Sequence, residues 1–325
     1  FTYKDFTVSG RNVESFSDHQ NFKINNAKIT PTSVQLNNIL VEKNGDFNTK
    51  TSMNGSIKTM DIKINEWNFG EEKLKLEVEN ILINGLNGEL TLAKNNENKR
   101  KSISGIEFPL LVKKISLKNS NLTLNTGKQP LDFKNLNAEI LNIEMNEQTV
   151  KNKTPFKMGS YRISASNFNY RLSEFYNATV ASIYITDKKI DLKNLVVKPL
   201  VSRAQFVRRI PKERDLYDLK ISQLTANGKW DFFSNTIQVD ANNVNINGMD
   251  ANIFRSKIPK DDLTEKLLYS SMLKTIKFPL FVGDFNINNS KLVYEEDTPK
   301  SDGPGKLIFN NFNLNAKNIN SGKTA

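Results

Sequence analysis

The side chains able to do acid–base, nucleophilic or metal chemistry are few in this chain and poorly spaced for it. The only histidine is His19, beside Asp18 in a polar run, and there is no cysteine. Neighbouring carboxylates occur at Glu71-Glu72, Asp261-Asp262 and Glu295-Glu296-Asp297, but adjacent residues of a strand point to opposite faces. No nucleophile-elbow, phosphate-loop or calcium-loop spacing occurs, although Asp and Asn oxygens leave a calcium site open. The sequence therefore predicts no enzyme, no catalytic residue, no metal site and no cofactor.

One long internal repeat organises the chain. The segment 108–122, FPLLVKKISLKNSNL, recurs at 278–292 as FPLFVGDFNINNSKL, with seven identical positions in fifteen. Three further matches join 34–43 to 190–199, Trp67-Asn-Phe69 to Trp230-Asp-Phe232, and 133–137 to 309–313. The offsets run 156, 163, 170 and 176 in chain order, as expected of two collinear copies with small insertions. We therefore predict two homologous modules, 1–150 and 151–325, that continue one another.

Alternation of apolar and polar residues with period two dominates both copies and predicts strands with one apolar face. In each copy the phase slips once, at Asn80 and at Asn242-Asn243, which indicates a bulge or a sharp bend. An Asn-Gly pair follows each slip, Asn84-Gly85 and Asn247-Gly248, and predicts a turn. Because alternation this clean is typical of sheets with one wet face, we expect antiparallel pairing.

Helical periodicity is confined to 261–275, where an aspartate could cap a stripe of Leu263, Leu267, Leu268 and Met272. A helix covering one end of the sheet is the favoured interpretation, and a membrane-surface or partner helix stays open. The predicted fold is mostly β: an elongated, twisted, antiparallel β-groove of two tandem modules with this one short helix. A lyase on a parallel β-helix is disfavoured, because such folds repeat every 20–25 residues or so.

The net charge of +11 suits an anionic partner such as a phospholipid surface. Lysines are spread along the strands, which favours a solvated face that protects the sheet edges over a nucleic-acid interface. An insertion at 199–215 of the second copy concentrates basic side chains. The candidates there for contact with a lipid head group or an acidic partner are Arg203, Arg208, Arg209, Lys212 and Arg214. A merely solvated loop is the alternative.

The run VYEEDTPKSDGPGKLIFNNFNLNAKNI at 293–319, which follows the second FPLF segment, resembles AsmA-like proteins, particularly the large versions of Bacteroidetes-type bacteria. The run RRIPKERDLYDLKI at 208–221 fits the same resemblance. The first copy departs from it, because Leu124-Asn125-Thr126 replaces Tyr294-Glu295-Glu296 and the basic insertion is missing.

The resemblance implies an envelope protein of the periplasm with a repeated β-groove, similar to bridge-like lipid transporters. It further implies lipid transport or a role in outer-membrane biogenesis, with phospholipid or another acyl lipid, an anionic membrane surface and other envelope proteins as partners. No run of about eighteen apolar residues is present. Since the chain starts at Phe1 and stops at NSGKTA, we interpret it as a fragment of a longer chain whose membrane anchor is absent from this sequence.

The apolar strand positions are the predicted lipid-binding groove. They are Leu74, Leu76, Val78, Ile81, Ile83, Leu117, Leu122 and Leu124 in the first copy, and Ile237, Val239, Val244, Ile246, Phe285, Ile287, Leu292 and Tyr294 in the second. Plain core packing is the alternative for each residue. At the level of function, a structural or adhesive β-repeat protein that docks on an envelope complex without carrying lipid is the second hypothesis.

Overall fold

The computed structural model describes residues 5–18, 20–45, 51–68, 75–92, 109–126, 129–146, 148–149, 156–231, 237–264, 268–300 and 302–323. Within them the chain forms fourteen strands and two helices. The strands of the first half are β1 (Val8–Ser15), β2 (Gln20–Thr30), β3 (Ser33–Lys43), β4 (Ser52–Asn68), β5 (Lys75–Thr91), β6 (Leu110–Asn125) and β7 (Leu131–Met145). Those of the second half are β8 (Ser160–Arg171), β9 (Tyr176–Thr186), β10 (Lys189–Pro199), β11 (Asp215–Asp231), β12 (Gln238–Ser256), β13 (Leu280–Asp297) and β14 (Gly305–Asn320). The helices are α1 (Arg203–Arg209) and α2 (Tyr269–Lys274).

The strands belong to one sheet, in which each strand neighbours the next in chain order from β1 to β14. The prediction of a mostly β fold is therefore confirmed. The chain divides into two compact units, unit 1 ending at Ser166 and unit 2 beginning at Asn167. The predicted module boundary falls at 150/151, and residues 150–155 lie outside the described residues.

Pairing is antiparallel in each unit with one exception apiece, which corrects the expectation of a purely antiparallel sheet. In unit 1, β5 and β6 run parallel, with Ile81 opposite Ile115. In unit 2, β12 and β13 run parallel, with Val244 opposite Phe285. Parallel neighbours require a long connection that returns the chain to the same end of the sheet. The segments 92–109 and 257–279 make those connections, and alternation within a strand carries no information about them.

Most strands contain a residue in the left-handed region, and it is usually asparagine. Asn38, Asn119 and Asn135 have φ of about 50° in unit 1, as do Asn194 and Asn289 in unit 2. A side chain at positive φ is uncommon and is best tolerated by asparagine, whose amide can bond locally. The left-handed residue shifts the alternation by one position, which explains why two apolar residues three apart share a face.

The two units repeat one hydrogen-bond network around these positions. Asn119 Nδ2 donates to Asn84 Oδ1 in unit 1 and Asn289 Nδ2 donates to Asn247 Oδ1 in unit 2, both at 3.0 Å. The serines that follow Asn119 and Asn289 are buried. Ser120 Oγ accepts from the backbone N–H of Leu86 at 3.2 Å, and Ser290 Oγ accepts from that of Met249 at 3.0 Å. The same two hydrogen bonds therefore occur at equivalent positions of both units.

The prediction of a turn at each Asn-Gly pair was wrong, because both pairs lie inside long strands. Gly85 is within β5 and Gly248 within β12, with φ of 69° and 64°. Glycine adopts the left-handed conformation easily, which suits it to hairpin turns, and here the same property allows an irregularity in the middle of a strand. The phase slips at Asn80 and Asn242 do coincide with shifts in strand register, as predicted.

The helix prediction was partly wrong. Helix α2 spans only six residues of the predicted 261–275. Of its expected apolar stripe, Leu263 is 89% exposed, Leu268 75% and Met272 52%, so these side chains do not cover the sheet; Leu267 lies outside the described residues. Helix α1, in the basic insertion, was not predicted. Ser202 caps it in a capping box with Gln205.

Candidate apolar binding site

The strand registers of unit 1 align apolar residues into rows across the sheet. Ile81 lies opposite Ile62 of β4 and Ile115 of β6. Two residues on, Ile83 lies opposite Met60 and Leu117. The rows are partly packed, because Ile83 contacts a buried cluster of Ile39, Val41 and Ile57. In unit 1 this face therefore supplies much of its own core.

Unit 2 has equivalent apolar rows, but part of their surface is open. Val244 lies between Ala226 and Phe285, and Ile246 lies between Leu224 and Ile287. A third row runs from Val197 through Leu219 and Ala251 to Leu292. At this third row the face is open rather than packed. A recess of about 470 Å³ lies over Val197, Leu219, Ala251 and Leu292, with Leu172 and Met249 beside them.

The next row outward is aromatic and forms one rim of the recess. Tyr217 lies opposite Ile253, which lies opposite Tyr294, and Tyr176 also lines the recess. The Tyr176 hydroxyl donates to the backbone carbonyl of Asp215 and accepts from the Tyr217 N–H, both at 3.2 Å. Ring bodies thus extend the apolar surface while their hydroxyls stay hydrogen-bonded.

Charged side chains follow the tyrosines at this end of the strands. Arg255 Nε donates to Asp215 Oδ1 at 2.6 Å, and Tyr217 donates to Asp215 Oδ2 at 3.1 Å. Tyr294 donates to Glu296 Oε2 at 2.8 Å, and Lys257 lies 3.2 Å from Glu296 Oε1. The rim therefore carries both signs of charge, each partly neutralised by the other.

Burial and these neighbours shift the pKa values of Tyr217, Tyr294 and Glu296 at the rim. Desolvation, followed by the adjacent Asp215 carboxylate, raises the pKa of Tyr217 to about 12. Desolvation and the hydrogen bond to Glu296 raise the pKa of Tyr294 to about 12. The Tyr294 hydroxyl and Lys257 lower the pKa of Glu296. Both phenols are neutral at physiological pH, so neither acts as a base there.

Helix α1 packs against part of the reverse face of unit 2. Phe206 of α1 is fully buried against Phe175, Leu216 and Phe254. Leu216 and Phe254 alternate with Tyr217 and Ile253 along their strands, so they point away from the recess. The helix consequently leaves the apolar recess uncovered.

Two basic side chains of the insertion, Arg203 and Lys212, form ion pairs with acidic residues of the same unit. Arg203 donates to both oxygens of Glu295, at 2.9 and 2.8 Å, and lies 4.4 Å from the centre of the Phe254 ring. The Glu295 side chain is only 6% exposed, and its hydrogen bonds with Arg203 lower its pKa to about 2. Lys212 lies 3.4 Å from Asp262. Arg208, Arg209 and Arg214 are exposed.

The predicted groove residues fall mostly on the apolar rows. Leu76 pairs with Leu110, Val78 with Val112, Leu122 with Phe133, and Leu124 with Leu131 in unit 1, and Val239 pairs with Leu280 in unit 2. Only Leu292 and, at the rim, Tyr294 belong to the region of the recess. Ile237 precedes β12 and is 40% exposed. Leu74 lies outside the described residues.

Four residues that line the recess were not predicted from the sequence: Val197, Tyr217, Leu219 and Ala251. The alternation Leu216-Tyr217-Asp218-Leu219 is visible in the sequence, but it does not say which apolar residue faces the helix. Arg255 and Lys257 gave no signal at all, because only the register brings them beside Asp215 and Glu296.

Comparisons with protein-family models, with curated proteins and with solved structures found no match to this chain. Among the described residues no group of acidic or histidine side chains is arranged to hold a metal ion. Neither described helix has the length and apolar character needed to cross a bilayer.

Proposed function

We propose that the chain binds the acyl part of a lipid on the apolar face of its sheet, with the recess of unit 2 as the principal site. The observation that carries this proposal is the recess itself: about 470 Å³ over a continuous apolar row, left open by the helix on the other face. Ligand sites in proteins commonly measure about 300–1,000 Å³ and are lined mainly by apolar side chains.

The magnitudes are compatible with a lipid tail. Withdrawing a sixteen-carbon chain from water is worth about 0.8 kcal/mol per CH₂, about 12 kcal/mol in all. A tail of this length, about 20 Å, crosses some four strand spacings of about 4.8 Å. The rows of unit 2 extend over more strands than that, from Ile183 of β9 to Leu314 of β14. The tail thus fits along a row, across the strands.

The wider role we propose is that of an AsmA-like protein of the bacterial envelope, anchored outside this segment and acting in lipid transfer or outer-membrane assembly. Its support is the resemblance of 293–319 together with the apolar rows, and the net charge of +11 suits an anionic membrane surface. Phospholipid is the expected cargo, and no catalytic step is part of the proposal.

The direct test is to purify the chain, extract it and identify bound lipid by mass spectrometry, then titrate delipidated protein with a fluorescent fatty acid. Ala251→Trp should fill the recess and lower the affinity at least tenfold. Ser182→Trp is the matched control, since Ser182 is exposed and lies on the other face from Ile183. Absence of lipid from the wild-type protein, together with no saturable binding of the probe, would overturn the proposal.

The second candidate is a docking protein that carries no lipid. The observation in its favour is the pair of exposed arginines, Arg208 and Arg209, in the last turn of α1. If they engage an acidic partner or head groups, Arg208→Glu/Arg209→Glu should abolish binding to anionic vesicles, and wild-type binding should weaken with salt. Unchanged binding by the double variant would show that the arginines are only solvated.

A further inference from the structure

A row of charged side chains borders the recess of unit 2 on the same face of the sheet. Asp215 of β11, Arg255 of β12 and Glu296 of β13 lie opposite one another and form this charged row. Each lies two residues beyond a member of the tyrosine row, which consists of Tyr217, Ile253 and Tyr294. Residues two apart in a strand share a face and are about 7 Å apart. The charged row is therefore within reach of the head group of a lipid whose tail lies in the recess.

Arg255 has hydrogen-bond donors that the described part of the chain does not use. Its Nε donates to Asp215 Oδ1 at 2.6 Å, whereas the N–H groups of its two terminal nitrogens donate to no described residue. The side chain is only 21% exposed, and donors removed from water are costly when they stay unpaired. A guanidinium group matches the oxygens of a phosphate with two parallel hydrogen bonds. Arg255 is thus suited to bind a phosphate group.

The carboxylates beside Arg255 balance the nearby cations. Asp215 pairs with Arg255, and Glu296 lies 3.2 Å from Lys257 Nζ. Two carboxylates and two cations sum to a net charge of zero in this part of the unit. A head group with a net charge disturbs this balance, whereas a head group that carries both signs finds a partner for each.

Unit 1 has no charged side chains at the equivalent positions. Its counterpart of the tyrosine row consists of Met53, Leu90 and Leu124, which lie opposite one another in the same way. Two residues farther out, it has Thr51, Leu92 and Thr126. The charged row therefore accompanies the open recess and is missing from the unit in which the apolar face is packed around Ile39.

We propose that the lipid bound in the recess is a zwitterionic phospholipid, one whose head group joins a phosphodiester to an ammonium group. The terminal N–H groups of Arg255 bind the phosphodiester, and the ammonium group lies against the carboxylates of Asp215 and Glu296. This inference rests on the proposed function, because it places the head group of the lipid whose tail occupies the recess. It adds the class of head group and the residue that recognises the phosphate.

The test uses the delipidated protein with the fluorescent fatty acid bound, and displaces this probe with three lipids that have the same short acyl chains. These are a phosphatidylethanolamine, a phosphatidylglycerol and a diacylglycerol. Phosphatidylethanolamine should bind about tenfold more tightly than diacylglycerol, as one charge-assisted pair of hydrogen bonds would give. It should also bind more tightly than phosphatidylglycerol, whose head group has no ammonium to pair with the carboxylates.

Arg255→Gln should remove the advantage of phosphatidylethanolamine and leave the affinity for diacylglycerol unchanged. Lys220→Gln is the matched control, because Lys220 is exposed and lies on β11 on the other face from Leu219. It should keep the wild-type order of affinities. Circular dichroism should establish that both variants are folded, and if Arg255→Gln is not, the order of the three lipids on the wild-type protein decides.

Two kinds of failure are distinguishable. If none of the three lipids displaces the probe from the wild-type protein, both the proposed function and this inference are wrong. If diacylglycerol binds as tightly as phosphatidylethanolamine, or phosphatidylglycerol binds at least as tightly, the recess still holds tails and only the head-group inference is overturned. The same conclusion follows if a folded Arg255→Gln variant retains the wild-type order.

Discussion

The ion pair between Arg203 and Glu295 gives a prediction that can be worked out from the structure. Glu295 is nearly buried, with 6% of its side chain exposed, while Arg203 is 42% exposed. Arg203→Gln removes the guanidinium that contacts both carboxylate oxygens but keeps a side chain of similar length. We expect this change to destabilise unit 2 at neutral pH.

The pKa of Glu295 sets an upper limit on the effect. Its shift from the ordinary 4.5 to about 2 corresponds to about 3.4 kcal/mol, at about 1.36 kcal/mol per unit. Solvent around the exposed guanidinium screens the pair, and Asn252 and Lys306 still contact the carboxylate in the variant. We therefore expect a loss of about 2 kcal/mol.

The sign of the pH dependence follows from the direction of the shift. Because the folded-state pKa is lowered, the ion pair stabilises the fold fully above pH 4.5 and progressively less as the pH falls towards 2. The gap between wild type and Arg203→Gln should therefore narrow over that range. A pH-independent remainder is expected from the lost contact of Arg203 with the Phe254 ring.

The assay is urea unfolding followed by fluorescence of Trp230, which is buried in unit 2, in a Trp67→Phe background. Arg208→Gln is the matched control, because Arg208 lies on the same helix and is exposed. The reasoning is refuted if the two variants lose the same stability, or if the loss from Arg203→Gln is as large at pH 3 as at pH 7.

Three further changes test the fold. Phe206→Ala should destabilise unit 2 by about 3–5 kcal/mol in urea unfolding, because the ring is fully buried under α1. Asn119→Ala should cost about 1–2 kcal/mol and Asn119→Gly less, since glycine retains the left-handed conformation while both lose the bond to Asn84; equal losses would contradict a conformational role. Gly55→Ala should lower the thermal midpoint of unit 1, because an added Cβ would lie 2.5 Å from the Asn87 carbonyl oxygen; an unchanged midpoint would show that the strands can separate there.

The repeat and the alternation were sufficient to predict the fold class, because both are properties of the sequence alone. The phase slip at Asn80 is visible in the sequence because the apolar residues Val78 and Ile81 are three apart. If both are to lie on the same face of the sheet, the strand register must shift between them. The apolar strand positions were identified in the same way, since Ile81 and Ile83 follow the period of a strand.

The parallel pairs could not be predicted, because strand direction depends on where the long connections lead, and a pattern within one strand is the same in either direction. The recess could not be predicted from the sequence either. Whether Leu216 or Tyr217 faces the helix is decided by how α1 packs, and the sequence presents both as apolar. The left-handed conformation of Asn38, Asn119 and Asn135 was likewise not predicted.

The sequence by itself determined that the chain is a repeated, mostly β structure with an extended apolar face, because a period of two and a long internal repeat need no knowledge of packing. Only the tertiary structure decided how that face is used: packed around Ile39 in unit 1, open over Ala251 in unit 2. It likewise joined Arg203 to Glu295, 92 residues away. Burial and pairing of this kind arise from strand register and helix placement, which involve residues far apart in the chain.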